Sequence, residues 1–409
     1  MESAEVAMRI DEAVGILLEN TCPDIDTGSE AVSLKEAFGR VLARDVMSGI
    51  DVPAFNRSAM DGYAVNSDDI KSASKDFPVT LKVCGEILAG DHKDITYEKG
   101  SAVRVMTGGF IPDGYDCVVM QEDTDYGESE VKIYKCIPPY MNYAKTGEDV
   151  KKGELIFKKG TYLGAYHVGV LASLGISKAE VKKSISTTII STGSELTLPG
   201  NPLLPGKIYN NSMYILSSAI VSRHIDAPDM QVVEDDEDRL LQCIKTAAGR
   251  SHIIITTGAV SVGKKDIIPA VLKALGAKIL FRNVDIQPGT PTIGAIYGDT
   301  LLLCLSGNPF AAMANFEVYY WEMVAKLMGC DDLKPQTGRA VMDIPYEKKN
   351  VRTRLIRAKV KDGHIVSLGR NHASSVISNM TECNCLIELE AGRTPGVGDD
   401  VKIRMLSGV

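Results

Sequence analysis

Three short segments that combine glycine with hydroxyl side chains could hold a phosphate group. They span residues 191–195, 256–263 and 306–309, and an apolar run typical of a β-strand precedes each. Glycine lets the backbone approach a ligand, hydroxyls add donors, and a following helix offers the positive end of its dipole to an anion. One segment alone is an ordinary helix start with a Ser or Thr cap, whereas three together favour a phosphate-bearing ligand.

Four carboxylates lie in or near these segments or in a similarly constrained loop: Asp61, Glu195, Asp235 and Asp266. Mg2+ prefers oxygen ligands and usually binds substrate phosphates as well. The simpler interpretation is that Asp235 belongs to a solvated acidic run and that Asp266 caps a helix beginning at Ile267. The residue pattern leaves both interpretations open.

The elements that would position these residues alternate regularly from residue 184 onward. Strands are predicted at residues 185–190, 230–233, 252–256, around Leu280 and at 301–305, and helices at 213–225, 238–248, 267–275 and 311–327. This alternation predicts a parallel sheet covered by helices, because parallel neighbours need crossover connections. Ligands of such sheets bind beyond the carboxyl ends of the strands, where the three glycine segments lie.

The regions on either side of this α/β domain show the short, alternating strands of β-rich structure. Examples are residues 79–87, 131–137 and 350–366. Residues 51–149 would form one strand-rich unit, and the tail from about Lys334 is long enough for a small barrel. The first 20 residues predict an amphipathic helix and no signal peptide, because charged residues interrupt the apolar stripe.

Composition and charge exclude several classes of function. The 409-residue chain has a formal net charge of -8 and no basic cluster interleaved with aromatics, so we expect no nucleic-acid partner. No window approaches the roughly 18 unbroken apolar residues of a membrane span, so we expect a soluble protein with no membrane partner. Nine scattered cysteines indicate a reducing, cytoplasmic compartment. Cys383 and Cys385 could bind a metal, but two buried small side chains explain them more simply.

The heptapeptide at residues 58–64 predicts a loop in which Gly62 exposes Asp61. This heptapeptide resembles the signature of the MoeA family, which includes the C-terminal domain of gephyrin. Further blocks resemble the family in order and spacing over essentially the whole chain: residues 106–109 with 112–122, 147–153, 191–195 with 205–206, 260–266, 288–291 and 307–309.

The resemblance implies a multidomain α/β plus β fold. Its domains would be a segmented linker domain at residues 1–25 and 150–182 with a short segment near 44–52, a β-rich domain at 53–149, a three-layer α/β molybdopterin-binding (MogA-like) domain at 183–329, and a C-terminal β-barrel at 330–409. Members of the family form homodimers whose cleft lies between the α/β domain of one subunit and the β-rich domain of the other.

The resemblance also implies roles for the residues at matching positions. Catalytic roles would belong to Asp61, Thr107, Asp149, Glu195, Asp235 and Asp266, and the last two would bind Mg2+. Cofactor binding would belong to Thr192, Gly193, Thr257, Gly258, Ser261, Gly263, Pro288, Pro291, Gly307 and Asn308.

The reaction implied by the resemblance is that of a molybdopterin molybdenumtransferase. Enzymes of this family use Mg2+ and molybdate to cleave adenylylated molybdopterin, which releases AMP and leaves molybdenum on the dithiolene. The glycine loops would hold the phosphates while carboxylates position Mg2+ and water for displacement at phosphorus. Expected partners are a second copy of the chain, a molybdopterin adenylyltransferase and the apoproteins of molybdoenzymes.

The chain departs from the family pattern where the oxyanion is expected to bind. Gln287 and Thr290 replace the two lysines of the usual Lys-Pro-Gly-Lys-Pro, and Ala259 replaces a glycine. We hypothesise that other residues supply the positive charge and the hydroxyls of an oxyanion site. The candidates are Lys264 and Lys265, or Arg357 and Arg370, together with Ser374 and Ser375.

Three other functions compete with molybdenum transfer. The same chemistry could use tungstate, or the chain could be a molybdopterin-binding scaffold without catalysis, because the lysines are altered. The third is the related adenylyltransferase, whose fold resembles the α/β domain. The flanking domains and the Asp61 heptapeptide argue against the third function.

Overall fold

The computed structural model describes residues 8–260, 267–369, 373 and 375–408. The described helices are α1 (Ile10–Glu19), α2 (Leu34–Ala37), α3 (Ala165–Ser173), α4 (Ser212–Ser222), α5 (Glu237–Ala248), α6 (Ile268–Leu275) and α7 (Pro309–Met328). The strands up to residue 182 are β1 (Ser29–Ser33), β2 (Val46–Met47), β3 (Arg57–Ser58), β4 (Gly62–Val65), β5 (Val79–Ile87), β6 (Ser101–Val105), β7 (Cys117–Met120), β8 (Glu130–Ile133), β9 (Tyr143–Ala144), β10 (Leu155–Phe157) and β11 (Lys178–Lys182).

The remaining strands belong to the α/β domain and the C-terminal region. They are β12 (Thr187–Thr192), β13 (Leu196–Thr197), β14 (Ile208–Tyr209), β15 (Asp229–Val233), β16 (Ile253–Thr257), β17 (Lys278–Arg282), β18 (Ile286–Gln287), β19 (Ile293–Tyr297), β20 (Thr300–Leu305), β21 (Thr337–Met342), β22 (Thr353–Lys361), β23 (His364–Leu368), β24 (Cys385–Leu389) and β25 (Asp400–Met405). Every strand and helix predicted in the α/β domain is present, with ends shifted by a few residues.

The chain divides into two compact units. One contains Met1–Ala43, Gly160–Gly164 and Glu180–Val409, and the other contains Arg44–Lys159 and Ala165–Ala179. The four-domain division stays a prediction. The structure confirms the multidomain α/β plus β fold, because an α/β sheet and a C-terminal barrel both lie in the first unit.

The smaller unit is built around a five-stranded sheet with the order β7-β4-β6-β5-β8. Strand β4 pairs with antiparallel neighbours on both sides, β6 and β7. Its four residues are all buried, and successive side chains enter two different apolar clusters, with Tyr63 and Val65 in one and Ala64 in the other. Burial on both faces fixes β4, and with it the loop that carries Asp61 immediately before it.

The α/β domain contains a six-stranded sheet with the order β15-β12-β16-β20-β19-β17. The first four strands are parallel, whereas β19 and β17 run antiparallel to their neighbours. The predicted parallel sheet is therefore confirmed for four strands, and the antiparallel pairings of β19 are a correction to it. Residues 293–297 form a strand that the sequence analysis missed, and Gly298, with a φ of 59°, turns it directly into β20. A hairpin needs only such a tight turn and no crossover helix.

Helices cover both faces of this sheet. Along β20, Leu301, Leu303 and Leu305 pack in a cluster that includes α1, α4 and α7. The intervening Leu302 and Cys304 pack against α5 and α6 on the other face. Since successive strand residues point to opposite faces, this alternation produces the three layers expected from the sequence.

The C-terminal region is a closed five-stranded barrel. Strands pair in the cycle β22, β23, β21, β25, β24 and back to β22, and residues such as Ile356, Ile365 and Ile387 fill the interior. The short strand β18 adds to β22 in parallel, which attaches the segment before Pro288 to the barrel. This closure confirms the predicted barrel.

The two neighbouring cysteines are packed inside this barrel region. Cys383 and Cys385 are buried, and their thiols donate to the carbonyl oxygens of Asn379 and Ala358. Burial raises the pKa of both thiols, that of Cys385 to about 12. The described residues contain no group of three or more His, Cys, Asp or Glu that could hold a metal. None of the described helices is long and apolar enough to cross a membrane.

Candidate functional site

A cavity of about 320 Å³ opens at the carboxyl ends of the four parallel strands. Its lining residues are Thr192, Gly193, Glu195, Asp235, Gly258, Ala259, Val260, Pro291, Ser306 and Gly307. Thr192 ends β12, Gly258 follows β16 and Ser306 follows β20, so all three glycine segments reach this cavity. The structure thus brings together seven of the predicted site residues: Thr192, Gly193, Glu195, Asp235, Gly258, Pro291 and Gly307.

Glycine is required where the three loops approach one another. Gly258 has a φ of +94°, and a Cβ on it would lie 2.1 Å from the carbonyl oxygen of Thr192. A Cβ on Gly307 would lie 3.2 Å from the Cα of Gly258. A side chain at Gly258 would push the loops apart, because Cβ atoms do not approach a backbone oxygen to 2.1 Å, whereas at Gly307 the neighbouring backbone would have to shift by a few tenths of an ångström. The close packing brings backbone groups of three loops to one wall of the cavity.

Two carboxylates stand on the rim of the cavity. Asp235 accepts a hydrogen bond from the backbone N–H of Ser194 at 3.2 Å, which ties the end of β15 to the loop after β12. The adjacent Asp236 caps α5 by accepting from the backbone N–H of Arg239 at 2.8 Å. Asp235 is therefore not the cap of α5, and it lines the cavity together with Glu195.

Three described residues that were predicted to bind the cofactor support the loops instead of lining the cavity. Thr257 is buried, and its hydroxyl lies 2.9 Å from that of Ser191 across two strands. Asn308 caps α7 by accepting from the backbone N–H of Ala311. The carbonyl of Pro288 accepts from Asn315 at 3.0 Å. Their assignment to cofactor binding stays a prediction.

The sequence analysis did not assign three lining residues to the site, Ala259, Val260 and Ser306. All three belong to the glycine segments, so their position in those segments was the available signal. Other assigned residues lie outside the described part of the chain: Ser261, Gly263, Lys264, Lys265, Asp266, Arg370 and Ser374.

The smaller unit holds a second group of assigned residues. Thr107 donates to one carboxylate oxygen of Asp61 through both its backbone N–H and its hydroxyl, at 2.7 Å each. These two hydrogen bonds, the backbone one first, lower the pKa of Asp61. Asp149 is exposed in the same unit, and its backbone N–H donates to the carbonyl of Val52. The structure offers Asp61 and Asp149 as accessible carboxylates.

Arg357, assigned to an oxyanion site, is buried in the barrel region. Its guanidinium donates to the carbonyl oxygens of Val376 and Ala373 and to the side chain of Asn379. It also lies 4.1 Å above the ring of Phe310, and burial lowers its pKa. These contacts account for the position of Arg357 without a ligand, whereas Ser375 is exposed. The oxyanion role of both residues stays a prediction.

The geometry of the cavity suits an anionic ligand with phosphate groups. Loops at strand ends and the capped start of α7 present backbone donors, and the hydroxyl of Ser306 adds a further donor. The two rim carboxylates could help to bind a hard divalent cation together with oxygens of a ligand, as Mg2+ commonly binds in proteins. Such an arrangement can bind a phosphate ester and position a metal or water beside it.

Models of known families match three successive segments of the chain. The MoeA N-terminal region (domain I and II) matches residues 8–175. A probable molybdopterin binding domain matches residues 188–326, which contain the entire cavity. The MoeA C-terminal region (domain IV) matches residues 339–406, which cover the barrel.

Individual relatives resemble the chain over most of its length. A molybdopterin molybdenumtransferase of Staphylococcus epidermidis is 35% identical over 365 residues, which are 88% of this chain and 87% of the relative. A protein of the same name from Staphylococcus aureus is 34% identical over the same length. The crystal structure of the molybdopterin biosynthesis moeA protein from Pyrococcus horikoshii OT3 has a TM-score of 0.85 at 29% identity, covering 98% of this chain and 100% of that one.

Proposed function

Because the chain belongs to the MoeA family, we propose that it transfers molybdenum from molybdate to adenylylated molybdopterin and releases AMP, as a step in molybdenum cofactor biosynthesis. The observation that carries this proposal is the cavity where three glycine loops meet two carboxylates, Glu195 and Asp235. Backbone and hydroxyl donors on one wall suit the phosphates of the substrate, and carboxylates on the rim suit the reaction at phosphorus.

Mg2+ fits the residues of the cavity. It commonly binds one or two protein carboxylates and completes its shell with waters and substrate phosphates. Asp235 and Glu195 supply two accessible carboxylates here, and the sequence assigns Asp266 to the same role. The ion would neutralise charge on the phosphates, while the loops hold and orient the substrate.

The proposal includes a homodimer. Asp61, Thr107 and Asp149 of one subunit would complete the site formed by the α/β domain of the other, as the family resemblance implies. The accessible carboxylates of Asp61 and Asp149 support this arrangement. A molybdopterin adenylyltransferase would supply the substrate and molybdoenzyme apoproteins would receive the product, in the cytoplasm.

Because Gln287 and Thr290 replace the two lysines of the family pattern, two alternative functions remain open. The chain could use tungstate as the oxyanion, or it could be a scaffold that binds molybdopterin without turnover. Arg352 donates to the hydroxyl of Thr290 at 2.8 Å, so a guanidinium lies beside the position where relatives of the family carry a lysine. This guanidinium also lies 3.8 Å from a carboxylate oxygen of Asp285, so it adds no unpaired positive charge for an oxyanion, and both alternatives stay open.

The experiment follows AMP release from adenylylated molybdopterin with Mg2+ and either molybdate, tungstate or no oxyanion. Release that depends on molybdate, and that Asp235→Asn and Asp61→Ala abolish in folded protein, supports the transferase. Faster release with tungstate than with molybdate would identify tungstate as the oxyanion substrate. Tight binding of the substrate without release would replace the transferase with the scaffold.

A further inference from the structure

Lys207 holds the loop that carries Glu195, although it lies outside the three glycine segments. Its ammonium group donates to the carbonyl oxygen of Ser194 at 2.5 Å. Lys207 is partly buried, whereas residues 201–206, 208 and 209 around it are all exposed. The side chain is therefore folded against the loop instead of extending into solvent.

A short pair of strands brings Lys207 to this position. Strands β13 and β14 are parallel, with Leu196 opposite Ile208, and the backbone N–H of Ile208 donates to the carbonyl of Glu195 at 2.9 Å. Since Lys207 immediately precedes β14, this pairing fixes its Cα beside the loop. The backbone register thus brings the side chain of Lys207 within reach of the carbonyl oxygen of Ser194.

Ser194 is held from two sides by groups of opposite charge. Asp235 accepts from its backbone N–H, and Lys207 donates to its carbonyl oxygen. The preceding residue, Gly193, has no side chain to restrict its backbone. A glycine does not hold one conformation by itself, so external contacts must fix the loop.

We propose that Lys207 is a positioning residue for the transfer reaction, which fixes the peptide group before Glu195 and offsets the negative charge of the cavity rim. This inference rests on the proposed function. Because Ser194 precedes Glu195 and donates to Asp235, the ammonium group on its carbonyl oxygen adds positive charge in the region of the two rim carboxylates, which lowers the repulsion that an anionic substrate meets.

The test compares Lys207→Met and Lys207→Arg with Lys245→Met, which removes an exposed lysine on α5. Kinetics of AMP release from adenylylated molybdopterin and the thermal midpoint are measured for each full-length variant. Loss of a hydrogen bond from a charged group predicts a kcat about tenfold lower for Lys207→Met. We expect Lys207→Arg to recover most of the activity, Lys245→Met to match the wild type, and all midpoints to stay close together.

Two outcomes overturn the positioning role while leaving the proposed function intact. One is full activity of Lys207→Met. The other is equal loss in the Met and Arg variants together with a lowered thermal midpoint, which would indicate a merely structural contact. A wild-type chain that releases no AMP would instead overturn the proposed function, and the positioning role with it.

A double-mutant cycle that combines Lys207→Met with Asp235→Asn and measures binding gives a second readout that does not depend on turnover. Because both side chains hold Ser194, their effects on the Kd for adenylylated molybdopterin should be non-additive. Strictly additive effects would contradict a shared role in holding this loop.

Discussion

Thr107 donates two hydrogen bonds to a single carboxylate oxygen of Asp61, one from its backbone N–H and one from its hydroxyl. Both favour the ionised carboxylate, so they lower its pKa. Asp61 thereby stays charged in mild acid, where it is accessible to a ligand. The hydrogen bonds to ionised Asp61 stabilise the folded protein fully when the pH is above the ordinary carboxyl pKa. This stabilisation is lost as the pH falls through the lowered pKa of Asp61.

Removing the hydroxyl tests this relationship. In Thr107→Val the backbone donor remains, so the pKa of Asp61 should rise part of the way towards its ordinary value, and AMP release should fall several-fold. Carboxyl chemical shifts followed by NMR through a pH titration report the pKa. Thr146→Val is the matched control, because Thr146 makes the same pair of bonds to Asn56. An unchanged Asp61 pKa in Thr107→Val would contradict the assignment.

Gly289 is predicted to be intolerant of any side chain. It has a φ of +97°, and a Cβ would lie 2.0 Å from the side-chain nitrogen of Asn315, which holds the carbonyl of Pro288. Gly289→Ala should lower the free energy of unfolding by about 2–4 kcal/mol, through backbone strain and overpacking.

Gly298→Ala is the control for Gly289→Ala. Gly298 also has a positive φ, of 59°, but a Cβ there meets nothing within 4 Å. Gly298→Ala should lower the free energy of unfolding by only about 1–2 kcal/mol, because it adds backbone strain without a steric clash. Urea denaturation measures both variants, and equal losses would show that the contact with Asn315 adds no strain.

Ala259 is held in a left-handed conformation, with a φ of 52° that suits glycine better. Ala259→Gly should raise the free energy of unfolding by up to about 1 kcal/mol, because the relief of strain exceeds the added entropy of the unfolded chain. Asp362→Gly, at a φ of 50° in the barrel, provides a comparison away from the cavity. Loss of stability in Ala259→Gly would mean that the alanine methyl group makes compensating contacts.

His252 is predicted to make the stability of the α/β domain dependent on pH. Its Nδ1 accepts from the backbone N–H of Ser186 at 3.1 Å, and burial lowers its pKa below the ordinary 6.5. The unfolded chain therefore takes up a proton that the folded chain does not, and stability falls as the pH drops below about 6.5. His252→Gln should flatten this dependence in thermal unfolding curves. His92→Gln is the control, because it changes an exposed histidine, and it should leave the pH dependence of unfolding as it is in the wild type.

Much of the fold and of the cavity follows from local sequence. Leu301 to Leu305 is apolar throughout, which suits a strand covered on both faces, and Asn308 with Pro309 marks the start of α7. The three glycine segments were predicted to lie at one edge of the sheet because each follows a strand. That prediction is confirmed by the cavity that they line.

Other features depend on contacts between distant residues. Asp235 and Asp236 are chemically alike, and only the structure shows which one caps α5 and which one faces the cavity. The five-residue strand β19 was missed because Gly294 weakens its β-strand signal. Lys207 reaches Ser194 through the pairing of two very short strands, and pairing of this kind leaves little periodicity to detect.

The measurement that tests the central claim most directly is the molybdenum content of molybdopterin after a single turnover. The wild-type protein is incubated with adenylylated molybdopterin, Mg2+ and molybdate, and the pterin product is isolated and analysed for metal by mass spectrometry. The account predicts about one molybdenum atom per AMP released, and none in Asp235→Asn. Release of AMP with a metal-free pterin, or equal metal content in Asp235→Asn, would contradict it.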